Sequence, residues 1–112
     1  MIEGVIIQYL SGKLSVPVSG EVPENAPDEF ITVEKTGGFV ENKIESAGLA
    51  IQSWSTSQAG ASALSEQVKT AMFAAIERPD ISRVRLEREY NFTDTTTKRH
   101  RYQAVFDVVY FS

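Results

Sequence analysis

One long stretch of helical periodicity, residues 55–78, constrains the fold more than any other part of this chain. Its apolar residues recur at steps of three and four, which places them along one stripe of a helix. The stripe comprises Ala61, Leu64, Val68, Ala71, Met72, Ala75 and Ile76. Ser55 and Ser57 are candidates for the N-cap, and Pro79 ends the helix because proline disfavours helical geometry in the residue before it. Small alanine side chains let such a helix lie close to a sheet, so we predict a helix that covers one.

The other apolar segments predict a shorter helix and several strands. A second amphipathic stripe comprises Ile2, Val5, Ile6, Tyr9 and Leu10, and Gly12 is the expected end of that helix. Strands are predicted over residues 16–23, 30–36, 47–55, 81–92 and 99–111. The first of these contains two prolines, which restricts it to a short edge strand or an extended connection. The predicted fold is a single α+β domain over residues 1–112, in the order α-β-β-β-α-β-β. Its mainly antiparallel sheet ends in a long C-terminal hairpin, and two helices cover it.

Residues 37–46 interrupt this pattern, because two consecutive glycines at Gly37 and Gly38 are expected to break the strand before them. The segment is predicted to be a mobile, extended loop. One interpretation is an ordinary surface connection. The other is a contact arm that becomes ordered on a partner, since the apolar Phe39, Val40 and Ile44 have no evident use within so polar a loop. Trp54, in the next strand, is expected to pack beneath the long helix.

The last two strands are long enough to reach past the helix, and their second faces also need cover. Strict alternation places Val84, Leu86, Tyr90 and Phe92 on one face of the first strand, and the charged Arg83, Arg85, Glu87 and Glu89 on the other. We interpret the charged face as a solvated or cross-subunit ladder. The second face of the last strand retains Val105, Val109 and Phe111. These features predict self-association, with residues 93–98 as the hairpin connection.

Composition excludes several classes of chemistry. The chain has no cysteine, which removes disulfides, thiolate zinc sites and cysteine nucleophiles, and His100 is its only histidine. Neither a glycine-rich phosphate loop nor a nucleophile elbow is present, so we predict a protein that is not an enzyme and uses no cofactor or metal. The formal charge of −4 disfavours a general polyanion-binding surface. With no signal-like N-terminal segment and no apolar run of about 20 residues, the expected class is a soluble cytosolic protein.

Lys98, Arg99 and Arg101 form the one cationic cluster. Charge at the start of an exposed strand discourages aberrant edge pairing, and this is the simpler interpretation. Contact with nucleic-acid phosphates is the alternative. If the chain forms a ring, these charges could face a channel through which DNA passes.

Four segments together resemble the tail-terminator (tail-completion, or minor tail) proteins of long-tailed bacteriophages and prophages. They are Ile-Thr-Val-Glu-Lys at 31–35, Leu-Ala-Ile-Gln-Ser-Trp-Ser at 49–55, Ala-Gly-Ala-Ser-Ala-Leu-Ser-Glu-Gln-Val at 59–68, and Tyr-Gln-Ala-Val-Phe-Asp-Val-Val-Tyr-Phe at 102–111. The family places a strand of the type hydrophobic-Gln-x-Trp/Phe before a helix with this alanine and leucine spacing. The resemblance spans nearly the whole chain.

The resemblance implies a structural virion protein. Such proteins form a ring, commonly a hexamer, on the finished tail tube, stop its polymerisation and present a surface to the head-completion connector. The implied partners are further copies of the chain, the tail tube protein and the connector, with DNA only as passing cargo and no membrane. The implied location is the virion tail, reached after assembly in the bacterial cytoplasm.

The hairpin and the 37–46 arm are the predicted contacts, by position rather than by a residue match. Candidate ring or tube contacts are Phe39, Val40, Lys43, Ile44, Arg83, Arg85, Glu87 and Glu89, and candidate lumen-facing residues are Lys98, Arg99 and Arg101. Three alternatives remain: a small nucleic-acid-binding module, an enzyme of the dimeric α+β barrel kind, and a different virion part such as a tube or head-completion protein.

Overall fold

The computed structural model describes residues 1–93, 96 and 99–111. Its elements are α1 (Ile2–Lys13), β1 (Val18–Ser19), β2 (Phe30–Glu41), β3 (Ile44–Ser55), α2 (Gln58–Ala74) with a 3-10 turn (Ala75–Glu77), β4 (Ile81–Asn91) and β5 (His100–Phe111). The predicted α+β class and element order are confirmed. None of the helices in the described ranges is long and apolar enough to cross a membrane.

The five strands form one mixed sheet in the order β1-β2-β3-β5-β4. The two-residue β1 runs parallel to β2, and every other neighbouring pair is antiparallel. The helices both lie on the same face of this sheet, where their apolar stripes meet the inward residues of β2, β3 and β5. That core includes Ile6, Leu10, Ile31, Leu49, Ile51, Val68, Met72 and Phe106. The opposite face, called the outer face below, carries no helix from the described residues.

Both helices differ slightly from their predicted bounds. α1 continues through Gly12 to Lys13, and the N–H of Leu14 closes its last turn on the Leu10 carbonyl. α2 begins as expected, because the Ser57 hydroxyl accepts a 3.0 Å hydrogen bond from the Gly60 N–H. The predicted stripe of α2 is buried apart from Ile76, which lies in the 3-10 turn and is 50% exposed.

Residues 37–46, predicted as a mobile loop, instead form a regular β-hairpin. β2 continues through both glycines to Glu41, with a register shift between Lys35 and Gly37 that marks a bulge. Asn42 and Lys43 connect β2 to β3 with φ of 52° and 66°. Positive φ at both central residues is the requirement of a type I′ hairpin turn. The glycines therefore accommodate a bulge rather than end the strand.

Trp54 lies on the outer face, which corrects the prediction that it packs beneath the long helix. Side chains alternate along a strand, so a residue three positions after the helix-facing Ile51 points the other way. Its ring stacks on Phe30 with centroids 5.3 Å apart, and its Nε1 donates a 3.1 Å hydrogen bond to the Thr32 hydroxyl. Trp54 is therefore buried by side chains of the sheet itself.

A bulge in β4 corrects the predicted faces of that strand. The register shifts between Leu86 and Arg88, so Glu89 lies on the helix-covered face. There its carboxylate accepts hydrogen bonds from Ser65 and Lys69 of α2. Tyr90 moves to the outer face for the same reason, where its hydroxyl accepts a hydrogen bond from Gln103. Strict alternation fails for β4 because one additional residue occupies the strand.

Candidate assembly surface

A groove on the outer face collects residues from two segments that the sequence analysis treated separately. We call it the hairpin groove, and it is lined by Phe39, Glu41, Asn42, Ile44, Ser46, Arg83, Glu87, Asp107 and Val109. Four predicted contacts, Phe39, Ile44, Arg83 and Glu87, therefore lie together. Of the remaining predicted contacts, Lys43 lies in the hairpin turn and Arg85 lies beside the groove on β4.

Two predicted contacts lie elsewhere. Val40 pairs with Glu45, on the opposite side of the hairpin from Phe39. Glu89 lies against α2, as described above, which removes it from the exposed charge ladder. The hairpin therefore presents apolar side chains on both of its faces, whereas the charged ladder of β4 belongs to the outer face alone.

Strand register explains why these segments meet. β3 pairs Ser46 with Val109 of β5, and β5 in turn pairs Val109 with Arg83 of β4. The residue opposite Ser46 on β2 is Phe39. One row across all four long strands thus runs from Phe39 to Arg83. The fold builds the groove from residues more than 40 positions apart in sequence.

Asp107 is the electrostatic centre of the groove. Its carboxylate accepts a 3.1 Å hydrogen bond from the Ser46 hydroxyl and lies 3.5 Å and 3.8 Å from the guanidinium nitrogens of Arg83 and Arg85. Arg85 also pairs with Glu87 at 3.0 Å. Because both arginine side chains are more than half exposed, water and salt screen these pairs and each adds little to folding. At this exposure, a carboxylate or carbonyl of another chain can accept hydrogen bonds from the remaining N–H groups of the two arginines.

Exposed apolar side chains concentrate around the same hairpin. Phe39 is 65% exposed, Val40 64%, Ile44 42% and Phe111 51%. Ile44 and Phe111 are directly paired across β3 and β5. Scattered exposed apolar residues are ordinary on a monomer, but a contiguous group is typical of an interaction surface. The hairpin groove and hairpin tip have this character.

A hydrogen-bonded row of uncharged polar side chains crosses the middle of the outer face. The Gln52 amide accepts from Thr32 at 2.9 Å and donates to Gln103 at 2.7 Å, and Gln103 donates to the Tyr90 hydroxyl. The sequence analysis did not identify this row. The sequence could have indicated it, because alternation places Gln52 and Gln103 on the outward faces of two strands, and these strands are neighbours in the sheet. The row fixes four strands to one another and presents a neutral polar surface.

The predicted cationic cluster is engaged by the chain itself where the structure describes it. Arg99 donates to the backbone carbonyls of Pro27 and Ala26, at 3.0 Å and 3.3 Å, and lies over the Phe30 ring. Lys98 lies outside the described residues.

The Arg101 guanidinium lies 4.6 Å from the Trp54 ring centroid and 4.3 Å from that of Phe92. It also donates a 3.0 Å hydrogen bond from its Nε to the Phe92 carbonyl. Arg101 thus joins the end of β5 to two aromatic rings of the outer face.

Two further clefts lie outside the hairpin groove. One, at the start of α1, includes Glu3, Lys35, Asp80 and Tyr110. Burial raises the pKa of the Tyr110 hydroxyl, and the nearby charges of Glu45 and Glu3 raise it further. The other is a groove between α1 and α2, where the Tyr9 hydroxyl donates to the Ala71 carbonyl. Over residues 1–93, 96 and 99–111, no cluster of three or more histidine, aspartate or glutamate side chains is arranged to hold a metal ion.

No protein-family model matches this sequence, and no curated protein matches it. The fold is similar to that of a chain in the solved virion of a native gene transfer agent (GTA) particle, with a TM-score of 0.61. The two chains are 16% identical, and the similarity covers 96% of this chain and 85% of the other. At this identity the similarity shows that the two chains share a fold.

Proposed function

We propose that this protein is a structural component of a phage-type virion and acts there as the tail terminator. The observation that carries the proposal is the fold similarity to a chain of the GTA virion over 96% of the sequence. Four sequence segments support the assignment to the tail terminators: residues 31–35, 49–55, 59–68 and 102–111. They lie in β2, β3, α2 and β5, which is the order of elements that the tail-terminator resemblance requires.

In this role several copies form a ring, commonly a hexamer, on the last ring of the tail tube. One ring face binds the tube protein and the other binds the head-completion connector. Tube growth stops because the terminator offers no further surface to which a tube subunit can bind. The hairpin groove and the exposed apolar tip, with Phe39, Ile44 and Phe111, are the surfaces that we assign to these contacts.

DNA is only passing cargo in this proposal. The part of the outer face around the neutral amide row, where Arg99 and Arg101 are already held by internal groups, suits a lumen wall along which DNA slides without being retained. A binding surface for nucleic acid would need several free cations for phosphate contacts. The formal charge of −4 also weakens any general attraction to DNA.

The mechanism is surface complementarity and needs no catalysis or cofactor. Its products are a finished tail and a joint between head and tail, located in the virion after assembly in the host cytoplasm. The residues that matter are those that set the shape and charge of the two ring faces.

Solution mass, measured by light scattering after size-exclusion chromatography over a range of concentrations, is the first test. It is combined with co-sedimentation of the protein with purified tail tubes. A closed oligomer near six subunits, or saturable binding at tube ends, is expected. Failure to bind tubes and to form any oligomer would overturn the proposal. Spontaneous growth into long tubes would instead identify a tube protein.

The same preparation separates the nucleic-acid alternative. A DNA-binding module should retain duplex DNA in a salt-dependent manner, and the retention should fall when Lys98, Arg99 and Arg101 are changed to alanine. The tail-terminator proposal expects no such retention at physiological salt.

A further inference from the structure

Both edges of the sheet carry backbone groups without a strand partner in the described part of the chain. β1 pairs only with Ile31 and Thr32 of β2, so the rest of that edge, from Val33 to Glu41, lies open. The N–H of Ile31 donates to the Pro17 carbonyl on this side. Because hydrogen-bonding direction alternates along an antiparallel strand, Val33 and Lys35 direct their backbone groups toward the same open edge. At the other side of the sheet, β4 is the last strand in the order and has an open edge of its own.

Strand directions make these two edges compatible with each other. The four long strands alternate in direction across the sheet, so β2 and β4, the first and last of them, are antiparallel. A second copy, related to the first by a rotation about an axis along the strands, presents its β2 to the β4 edge in the antiparallel sense. Antiparallel pairing continues the alternation without a break. A contact between two different edges is head-to-tail and can close into a ring.

Charge on the outer face agrees with the same pairing. Glu34 of β2, Ala50, Val105 and Arg88 of β4 form one row across the sheet. Glu34 and Arg88 are both exposed, and they lie at opposite ends of this row. In a head-to-tail pair without a register offset, Glu34 of one copy lies opposite Arg88 of the next. Opposite charges directly across a strand pair are stabilising, whereas like charges are destabilising.

Apolar surface borders the β4 edge on the helix-covered side. Phe73 of α2 and Ile76 of the following 3-10 turn continue the line of Ser65 and Lys69, on the side that contacts β4, and they are 48% and 50% exposed. A strand added beside β4 would extend the sheet beneath these side chains and remove part of their surface from water. The β4 edge, which carries Arg88, is therefore also the edge beside which the apolar side chains of Phe73 and Ile76 remain exposed.

We propose that the occupant of the β4 edge is the β2 strand of a second copy of this chain, with Glu34 of one copy beside Arg88 of the next. Repetition of this contact extends one sheet through all subunits of the assembly. The inference rests on the proposed ring and adds which edges meet and in which register.

Cysteine pairs test this contact directly, because the natural chain has no cysteine. The double variant Glu34→Cys/Arg88→Cys places one thiol on each edge. Within one chain, three strand spacings separate these positions by about 14 Å. A disulfide needs Cα atoms closer than about 7 Å, so it cannot form within a chain. Oxidation of the assembled protein, free or bound to tail tubes, should give a ladder of covalent dimers, trimers and larger species on a non-reducing gel.

Two controls define the contact. Glu34→Cys alone should remain monomeric on the gel, because its neighbour in the next copy is Arg88. Dimers from this single variant would indicate pairing of two β2 edges and would overturn the head-to-tail arrangement. Glu66→Cys/Arg88→Cys, which pairs the β4 edge with an exposed position on α2, should give no ladder. A ladder from this control equal to that of the test pair would mean that the cross-links are collisional, and would overturn the inference.

Charge reversal gives an independent measurement. Glu34→Arg alone, and Arg88→Glu alone, each place like charges opposite each other and should raise the concentration of half-assembly by about threefold to tenfold. The double reversal should restore it. A chain that assembles and binds tail tubes but gives neither a ladder nor this rescue would overturn the edge pairing and leave the proposed function intact. A chain that neither assembles nor binds tubes would overturn both.

Discussion

The Lys69 ammonium lies 2.9 Å from the Glu89 carboxylate and thereby ties α2 to the edge strand β4. Ser65, one turn earlier on α2, donates to the same carboxylate. Burial raises the pKa of Glu89, but the hydrogen bonds from Ser65 and Lys69 and the charge of Lys69 outweigh it, so the pKa lies below its usual value. The hydrogen bonds that Lys69 donates to the Glu66 and Glu89 carboxylates raise the pKa of Lys69.

Glu89→Gln should lower the free energy of unfolding by about 1–3 kcal/mol at neutral pH, because it removes a charged acceptor from the buried Ser65 hydroxyl and the half-buried Lys69 ammonium. A carboxylate whose folded pKa is depressed stabilises the protein above its unfolded pKa. That contribution is lost as the pH falls from about 4 through the folded pKa. Urea titrations of both proteins from pH 7 to pH 3 should therefore show a difference that shrinks on acidification.

Glu87→Gln is the matched control, since Glu87 lies on the same strand with its side chain 43% exposed. Its effect should stay within about 0.5 kcal/mol at every pH. An equal loss for the two variants would contradict the assignment of Glu89 to the helix-covered face.

Gly38→Ala should destabilise the protein by about 1–3 kcal/mol, because a Cβ there would meet the backbone carbonyl oxygen of Ser46 on β3. Gly37→Ala is its neighbour-matched control, since nothing lies within 4 Å of a Cβ at that position. Thermal unfolding of the two variants measures the difference. Equal melting temperatures would mean that residues 37–46 do not form the tightly paired hairpin.

Arg101→Ala should destabilise the chain by about 1–2 kcal/mol through loss of the contacts with Trp54 and Phe92. Arg85→Ala removes an exposed arginine from the same face, and its effect should stay within about 0.5 kcal/mol. Both values come from chemical denaturation. A larger effect at Arg85 than at Arg101 would contradict the structural role given to Arg101.

Phe39→Ser should leave the melting temperature within a few degrees of the natural protein, because the side chain is 65% exposed. Assembly on tail tubes should weaken by about tenfold or more, since burial of a phenylalanine side chain contributes about 1.5–3 kcal/mol. Val22→Ser is the control, because Val22 is 51% exposed but lies outside the hairpin groove. Unchanged tube binding by Phe39→Ser would remove the groove from the assembly surface.

Periodicity predicted the elements with a strong repeat. Val68 belongs to the apolar stripe of α2 and Phe106 to the inward face of β5, and both side chains are buried. The order of the elements also agrees with the prediction. The 37–46 hairpin was missed because Asn42 and Lys43 form its turn without the usual Asn-Gly signal, and because a glycine pair within a strand can mark either a break or a bulge.

The errors at Trp54 and Glu89 have different causes. Alternation from Ile51 was sufficient to place Trp54 on the outer face, so that signal was present in the sequence. Glu89 was misplaced by the β4 bulge, which changes the parity of the strand and arises from pairing with β5. The hairpin groove was not predicted because its residues come from β2, β3, β4 and β5. The periodicity of each single strand does not show which strands are neighbours in the sheet.

The position of Trp54 gives the protein an intrinsic optical probe. It is the only tryptophan of the chain, and it is stacked on Phe30 beneath the Arg101 guanidinium on the side of the sheet without helices. Emission excited at tryptophan-selective wavelengths therefore reports on this side alone, without a label. A change in its intensity would report a change in the contacts with Phe30 and Arg101 as subunits join, in real time and in the unmodified protein.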